Sequence, residues 1–264
     1  VFKKTFSVSK KQQIKKQHIL QFEGLDTYTE IFLNDSLLLK TNNTFRKFEL
    51  DVSKILRAEN ELRIVFTSVD EVEKQKVSAL EYELPEAPRV FTRKPQFQYG
   101  WDWGPKIKTV GIWRDVSLIS YNDIRLKDAF LKTESISDTL ATLTAILELQ
   151  TEKNDTYFIE IENKTTRETF SFPTKVYGSK SEYTFSVPIK KPKLWWTHNL
   201  GNPFLYDFNI RVKRKNIVVD SVSKKVGIRD IQLVTEKDSV GESFYFKLNG
   251  QPVYMKGANY IPQN

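Results

Sequence analysis

Hydrophobic and polar residues alternate with a period of two along most of the chain. The clearest runs cover residues 62–66, 143–149 and 206–212. This period places alternate side chains on one face of a β-strand, so these runs predict strands with one face in a core and one in water. Helix-like pieces are short, such as residues 51–56, where Asp51 is placed to cap a single turn. The pattern therefore predicts an all-β protein.

Turn-forming residues separate the predicted strands. Asn249-Gly250 lies between two apolar runs and predicts a hairpin, followed by a final strand over residues 253–256. The strand spacing changes near residues 121–123, where we place a domain boundary. The spacing from there to residue 226 is typical of an immunoglobulin-like β-sandwich. The remaining segment, residues 227–264, is too short to form a core of its own, and strand-like runs at both termini lead us to expect a chain cut at both ends.

Composition narrows the possible partners. The chain is 39% hydrophobic with no apolar run long enough to cross a bilayer, so we predict a soluble protein without a membrane partner. Its net charge of +8 is spread over strands and turns, which favours a solvated surface over a polyanion-binding face, and we predict no nucleic-acid partner. Cysteine is absent and His18 and His198 are far apart in sequence, so neither a metal site nor a cofactor is predicted.

One motif combines aromatic and acidic side chains, in residues 99–105 with the sequence Tyr-Gly-Trp-Asp-Trp-Gly-Pro. Asp102 stands between Trp101 and Trp103. Indole rings provide a flat apolar surface for the C–H face of a sugar, and a carboxylate accepts hydrogen bonds from sugar hydroxyls. The alternative is that Trp101, Trp103 and Trp113 fill a sandwich core while Asp102 caps a turn. The residues alone leave both interpretations open.

Several segments resemble, in order, signatures of β-mannosidases of glycoside hydrolase family 2. Those of the family's sugar-binding jelly roll are residues 22–28, 32–35, 93–94, 101–105 and 111–114. Those of the following domain, the linker and the entry to the catalytic barrel are residues 194–196, 227–229, 244–250 and 256–262. The resemblance implies a galactose-binding-like jelly roll in residues 1–122 without its first strands. It implies an immunoglobulin-like sandwich in residues 123–226, and a linker with the first strand or strands of a truncated TIM barrel in residues 227–264.

The resemblance also implies a function, the retaining removal of terminal β-linked mannose from a β-mannoside or oligosaccharide. Retaining glycosidases use two carboxylates about 5–5.5 Å apart. The family takes both from later barrel strands, so no catalytic residue is expected in this chain, which alone should be inactive. Glu81, Glu83 and Glu86 are expected to face solvent instead.

Four substrate-binding residues are predicted from the same resemblance. Trp101 is expected to shape the pocket wall and Asp102 to accept hydrogen bonds from the sugar, whereas Trp103 and Trp113 are assigned mainly to packing. Asn259 and Tyr260 end the predicted barrel strand, where residues face the active site of such barrels, so one of them is expected to contact sugar. A structural turn is the alternative role for that pair.

Two other functions remain as alternatives. The first is a stand-alone carbohydrate-binding or adhesion module, and the second, more distant, is polyanion binding through the basic surface. Residues 249–262 favour the enzyme over a binding module, because a binding module has no use for the first strand of a barrel.

Overall fold

The computed structural model describes residues 1–86 and 88–260, whose regular secondary structure is mostly β-strand. The chain forms two compact units, one based on residues 1–122 and the other on residues 123–259. Within the described residues, no helix is long and apolar enough to cross a membrane.

The first unit is a jelly roll of short antiparallel strands. Its strands are β1 (Phe2–Ser7), β2 (Gln17–Phe22), β3 (Leu25–Asp26), β4 (Tyr28–Leu33), β5 (Ser36–Asn42), β6 (Phe48–Asp51), β7 (Glu59–Phe66), β8 (Gly111–Ile112) and β9 (Val116–Tyr121). Its helices are α1 (Lys10–Gln13) and α2 (Val69–Ser78), with 3₁₀ turns at Arg89–Phe91 and Gln96–Tyr99.

Two sheets of the first unit enclose its core. They have the strand orders β1-β7-β4-β5 and β6-β2-β9, and β3 pairs with β8 beside them. The core is formed by buried apolar residues of both sheets, of β3 and of the turn after β6: Leu20, Phe22, Leu25, Ile31, Leu33, Val52, Leu62 and Ile64. The alternation of residues 62–66 is confirmed in β7, where Leu62 and Ile64 point into this core.

The second unit is an immunoglobulin-like sandwich. Its strands are β10 (Ile124–Ile136), β11 (Leu140–Thr151), β12 (Asp155–Asn163), β13 (Glu168–Val176), β14 (Glu182–Lys190), β15 (Tyr206–Arg214) and β16 (Ile217–Val226). The two sheets have the orders β10-β11-β14 and β13-β12-β15-β16. Every second residue of β11 from Ala141 to Leu149 is buried, as the alternation predicts, and packs with Ile159 and Phe208 of the facing sheet.

The last part of the second unit is a three-stranded sheet of β17 (Ile231–Val234), β18 (Tyr245–Leu248) and β19 (Gln251–Val253). The predicted hairpin is confirmed, since Leu248 pairs with Gln251 and both turn residues have positive φ, 49° at Asn249 and 80° at Gly250. Asn249 also donates to the Trp195 carbonyl at 3.0 Å, which joins this sheet to the sandwich.

Two local predictions about secondary structure were wrong. The final strand ends at Val253 rather than continuing over residues 253–256, and residues 254–260 have no regular structure. The barrel-like motif extends to residues 261–262, which lie outside the described residues. The second error concerns helices: α2 is ten residues long, whereas only short pieces were predicted. The turn at Asp51 is confirmed, because its carboxylate accepts from the Ser53 amide at 2.9 Å.

Candidate functional site

The two tryptophans and the aspartate of the central motif lie on a tight turn of the first unit, residues 101–104, called here the tryptophan turn. The Trp101 amide donates to the Gly104 carbonyl at 3.3 Å and the Gly104 amide donates back at 3.2 Å. Trp101 is 61% exposed and Trp103 is 66% exposed. Asp102 is exposed too, and no side chain in the described part of the protein bonds its carboxylate. The turn thus carries an exposed acceptor and two exposed indole side chains at consecutive positions.

A buried cluster of polar residues, called here the Lys94 cluster, lies at the base of this turn. Lys94 is 1% exposed, and its ammonium donates to Asp26 Oδ2 at 3.2 Å, to the Thr109 carbonyl at 2.9 Å and to Gln98 Oε1. Thr109 Oγ1 donates to Asp26 at 2.9 Å, and the Thr109 amide donates to Gln98 at 3.0 Å. Residues 94–98 precede the turn and residue 109 follows it. The cluster therefore connects both ends of the loop formed by residues 94–109 to β3.

A second buried cluster, the Glu73 cluster, joins the same loop to helix α2. Glu73 is 1% exposed and accepts hydrogen bonds from the Tyr99 hydroxyl and, at 2.8 Å, from Lys108 Nζ. Lys108 Nζ also donates to Asp70 and lies 4.9 Å from the centre of the Tyr99 ring. Tyr99 precedes the tryptophan turn and Lys108 follows it, so this cluster also connects the segments before and after the turn.

These contacts favour the protonated forms of Tyr99 and Lys108. Burial raises the pKa of Tyr99, and its hydrogen bond to Glu73 raises it further. For Lys108, burial disfavours the ammonium, but the hydrogen bonds to Asp70 and Glu73 outweigh it and raise its pKa. At neutral pH the cluster therefore holds a neutral phenol and a charged lysine, which are the donors that the Glu73 carboxylate requires.

Helix α2 is itself held against the rest of the first unit. Val69 is buried at its first turn, where Asp70 and Glu71 complement the helix dipole. At its other end, Lys76 donates to the Phe91 carbonyl at 3.0 Å and to the Tyr28 hydroxyl at 3.2 Å. The helix thus supplies Glu73 from a rigid position.

Gly100 connects the 3₁₀ turn at Gln96–Tyr99 to the tryptophan turn, in a backbone conformation that suits only glycine. Its φ is 84° and its ψ is 177°. A Cβ there would lie 2.7 Å from Lys106 Cγ and 3.1 Å from the Gly104 carbonyl oxygen. The turn therefore depends on the missing side chain.

We expect Gly100→Ala to destabilise the chain by about 1–3 kcal/mol, the usual cost of a side chain forced into such a region. Thermal melting measures this loss of stability. Gly111→Ala is the matched control, because a Cβ at Gly111 meets nothing within 4 Å. Equal melting of the two variants would show that the Gly100 conformation is not required.

The packing role predicted for Trp103 and Trp113 holds only for Trp113. Trp103 was assigned to packing and this was wrong, because two-thirds of its side chain is in solvent. Trp113 is 48% exposed but does pack: its ring lies on Gly24, where a Cβ would be 2.4 Å from Nε1, and Nε1 donates to the Thr44 carbonyl at 3.3 Å. The guanidinium of Arg114 lies over the outer face of that ring, 4.2 Å from its centre.

The remaining residues singled out from the sequence are exposed. Asn259 and Tyr260 are exposed in the irregular segment after β19, and within the described chain neither side chain makes a hydrogen bond. Glu81, Glu83 and Glu86 are exposed as predicted, and Glu86 pairs with Arg89 at 2.5 Å. Among the described residues, no group of three histidine or acidic side chains is arranged to hold a metal ion.

Comparisons with known proteins identify both units. Residues 1–114 match the family model described as glycosyl hydrolase 2 galactose-binding domain-like, and residues 124–229 match the model for glycosyl hydrolases family 2. Together these models cover most of the chain.

Individual relatives agree with the family models. The chain is 32% identical over 259 residues to beta-mannosidase B of Aspergillus flavus and, equally, of Aspergillus oryzae, covering 92% of this chain and 30% of each relative. Among solved structures, beta-D-mannosidase from Dictyoglomus thermophilum matches with a TM-score of 0.85 and 32% identity, over 98% of this chain and 33% of that one.

A more distant structure shows the fold alone. A putative beta-galactosidase from Bacteroides fragilis matches with a TM-score of 0.67 and 20% identity, over 96% of this chain and 35% of that one. This chain thus spans about a third of the length of the proteins it resembles. It belongs to glycoside hydrolase family 2 and contains the family's galactose-binding-like and immunoglobulin-like domains.

Proposed function

We propose that this chain is the substrate-binding front part of a retaining exo-β-mannosidase, and that Trp101 and Asp102 contact the mannose ring. The observation that carries the proposal is the tryptophan turn, where an exposed carboxylate with no side-chain partner among the described residues is flanked in sequence by two exposed tryptophans. The relatives named beta-mannosidase support the choice of sugar.

The chemistry of the turn suits a sugar. A carboxylate accepts hydrogen bonds from hydroxyl groups, and such charge-assisted bonds are about twice as strong as neutral ones. An exposed indole face gains from covering the C–H groups of the ring, because apolar surface leaves water. Both clusters at the base of the loop hold these groups in place before any sugar binds, which lowers the entropic cost of binding.

The catalytic step is assigned to another part of the protein. Retaining hydrolysis requires an acid/base and a nucleophile, and by family resemblance both come from barrel strands that follow residues 227–264. Asn259 and Tyr260 belong to the same proposal: both are exposed, and one of them is expected to contact the sugar where the barrel begins.

We expect the chain alone to leave an aryl β-mannoside unhydrolysed above background, because positioning groups without a nucleophile provide no covalent route. The full-length protein should hydrolyse it, and should prefer it to the matching β-galactoside and β-glucuronide. The assay is release of the aryl alcohol by each purified protein. Turnover by the chain alone would contradict the division of roles, and a full-length protein that prefers galactoside or glucuronide would contradict the mannose assignment.

The second candidate is a stand-alone carbohydrate-binding module, which the exposure of Trp101 and Trp103 favours. Titration of the chain alone with mannose oligosaccharides separates the two functions. If the chain is a binding module, sugar at micromolar to low-millimolar concentration should quench its tryptophan fluorescence. An enzyme subsite that requires the barrel should give no saturable quenching in that range.

A further inference from the structure

A single lysine is buried at the base of the tryptophan turn, where a charge is costly. The Lys94 side chain is fully covered and the Asp26 side chain is only 7% exposed. Removing two charges from water costs several kcal/mol per ion, and an apolar residue of the same volume often serves stability as well or better. Packing alone therefore does not account for a buried lysine at this position.

The hydrogen bonds of Lys94 provide that explanation. An ammonium has three N–H donors, and the three acceptors come from three separate segments: Asp26 on β3, Gln98 before the turn and Thr109 after it. An apolar side chain would fill the space but would make no such bonds. The ammonium joins β3 to the segments before and after the turn.

We propose that Lys94 is a positioning residue, which holds the tryptophan turn in the orientation that its sugar contacts need. The proposal rests on the proposed function in that respect. Lys94 itself is covered and touches no sugar; it acts through Trp101 and Asp102, and a displacement of about 1 Å in such groups is enough to slow an enzyme by about 100-fold.

The experiment uses the full-length protein with Lys94→Met, and with the double substitution Asp26→Asn and Lys94→Met. The double variant leaves no charge buried without a partner, so it reports even where the single variant fails to fold. Lys40→Met is the matched control, because Lys40 pairs with Glu30 on the surface of the same unit. Hydrogen exchange and kcat/KM for an aryl β-mannoside are measured on each.

In the double variant, peptides covering residues 98–110 should exchange at least about tenfold faster, while peptides from β4 and β7 keep their rates. The value of kcat/KM should fall at least about tenfold, and Lys40→Met should change neither quantity. Exchange in residues 98–110 that stays at the wild-type rate, or rises only as much as in β4 and β7, would overturn the proposal. Faster exchange confined to residues 98–110 with unchanged kcat/KM would support the positioning role and contradict the proposed sugar contact instead.

Discussion

Asp102→Ala should lower kcat/KM of the full-length protein for β-mannosides at least about tenfold, because a charge-assisted hydrogen bond to a sugar hydroxyl contributes about 1.5–3 kcal/mol. The melting temperature should hardly change. The Asp102 carboxylate is exposed and has no side-chain partner in the described structure, so its removal costs the fold little. Steady-state kinetics on the full-length protein and a thermal melt of this chain measure the two effects.

Asp102→Asn is the conservative control for this prediction. The amide keeps the shape and one acceptor oxygen but loses the charge, so it should retain part of the activity that alanine loses. If Asp102 served as a turn residue instead, alanine would lower the melting temperature and leave kcat/KM unchanged. That pair of results would remove Asp102 from the sugar site.

Glu73→Ala should destabilise the first unit by about 3–5 kcal/mol, the usual cost of breaking a buried charged pair by removing one partner. Glu73 is 1% exposed, and without it the buried Tyr99 hydroxyl and the Lys108 ammonium lose an acceptor. Chemical denaturation of the chain measures the loss.

The same substitution at Glu71 is the matched control, since Glu71 lies on the same helix and is exposed. It should cost under about 1 kcal/mol, as expected for a surface charge near a helix N-terminus. Equal effects at the two positions would show that the Glu73 cluster contributes nothing beyond the helix itself.

The strands could be predicted from the sequence because burial on one face of a sheet leaves a period of two. This is how Leu62 and Ile64 of β7 could be assigned to a core. Helix α2 left no comparable pattern. Its surface is mostly charged and it buries only Val69 and Glu73, so its apolar spacing is too sparse to predict a helix.

Trp101 and Asp102 could be proposed as site residues from the sequence, but the residues that hold the tryptophan turn in place could not. Trp101 and Asp102 stand out by their chemistry, whereas the exposure of Trp103 depends on the direction of a turn that composition does not specify. Lys94 is the clearest case, because a lysine is nearly always exposed and its burial here requires acceptors from positions 26, 98 and 109. Such long-range pairing leaves no local signal in one sequence.

The most direct test of the sugar contact is a crystal structure of the full-length protein with an unhydrolysed β-mannoside analogue bound. We expect a carboxylate oxygen of Asp102 within about 2.5–3.0 Å of a sugar hydroxyl oxygen, with the Trp101 side chain against the ring. A bound mannose ring with neither Asp102 nor Trp101 within about 4 Å would contradict it.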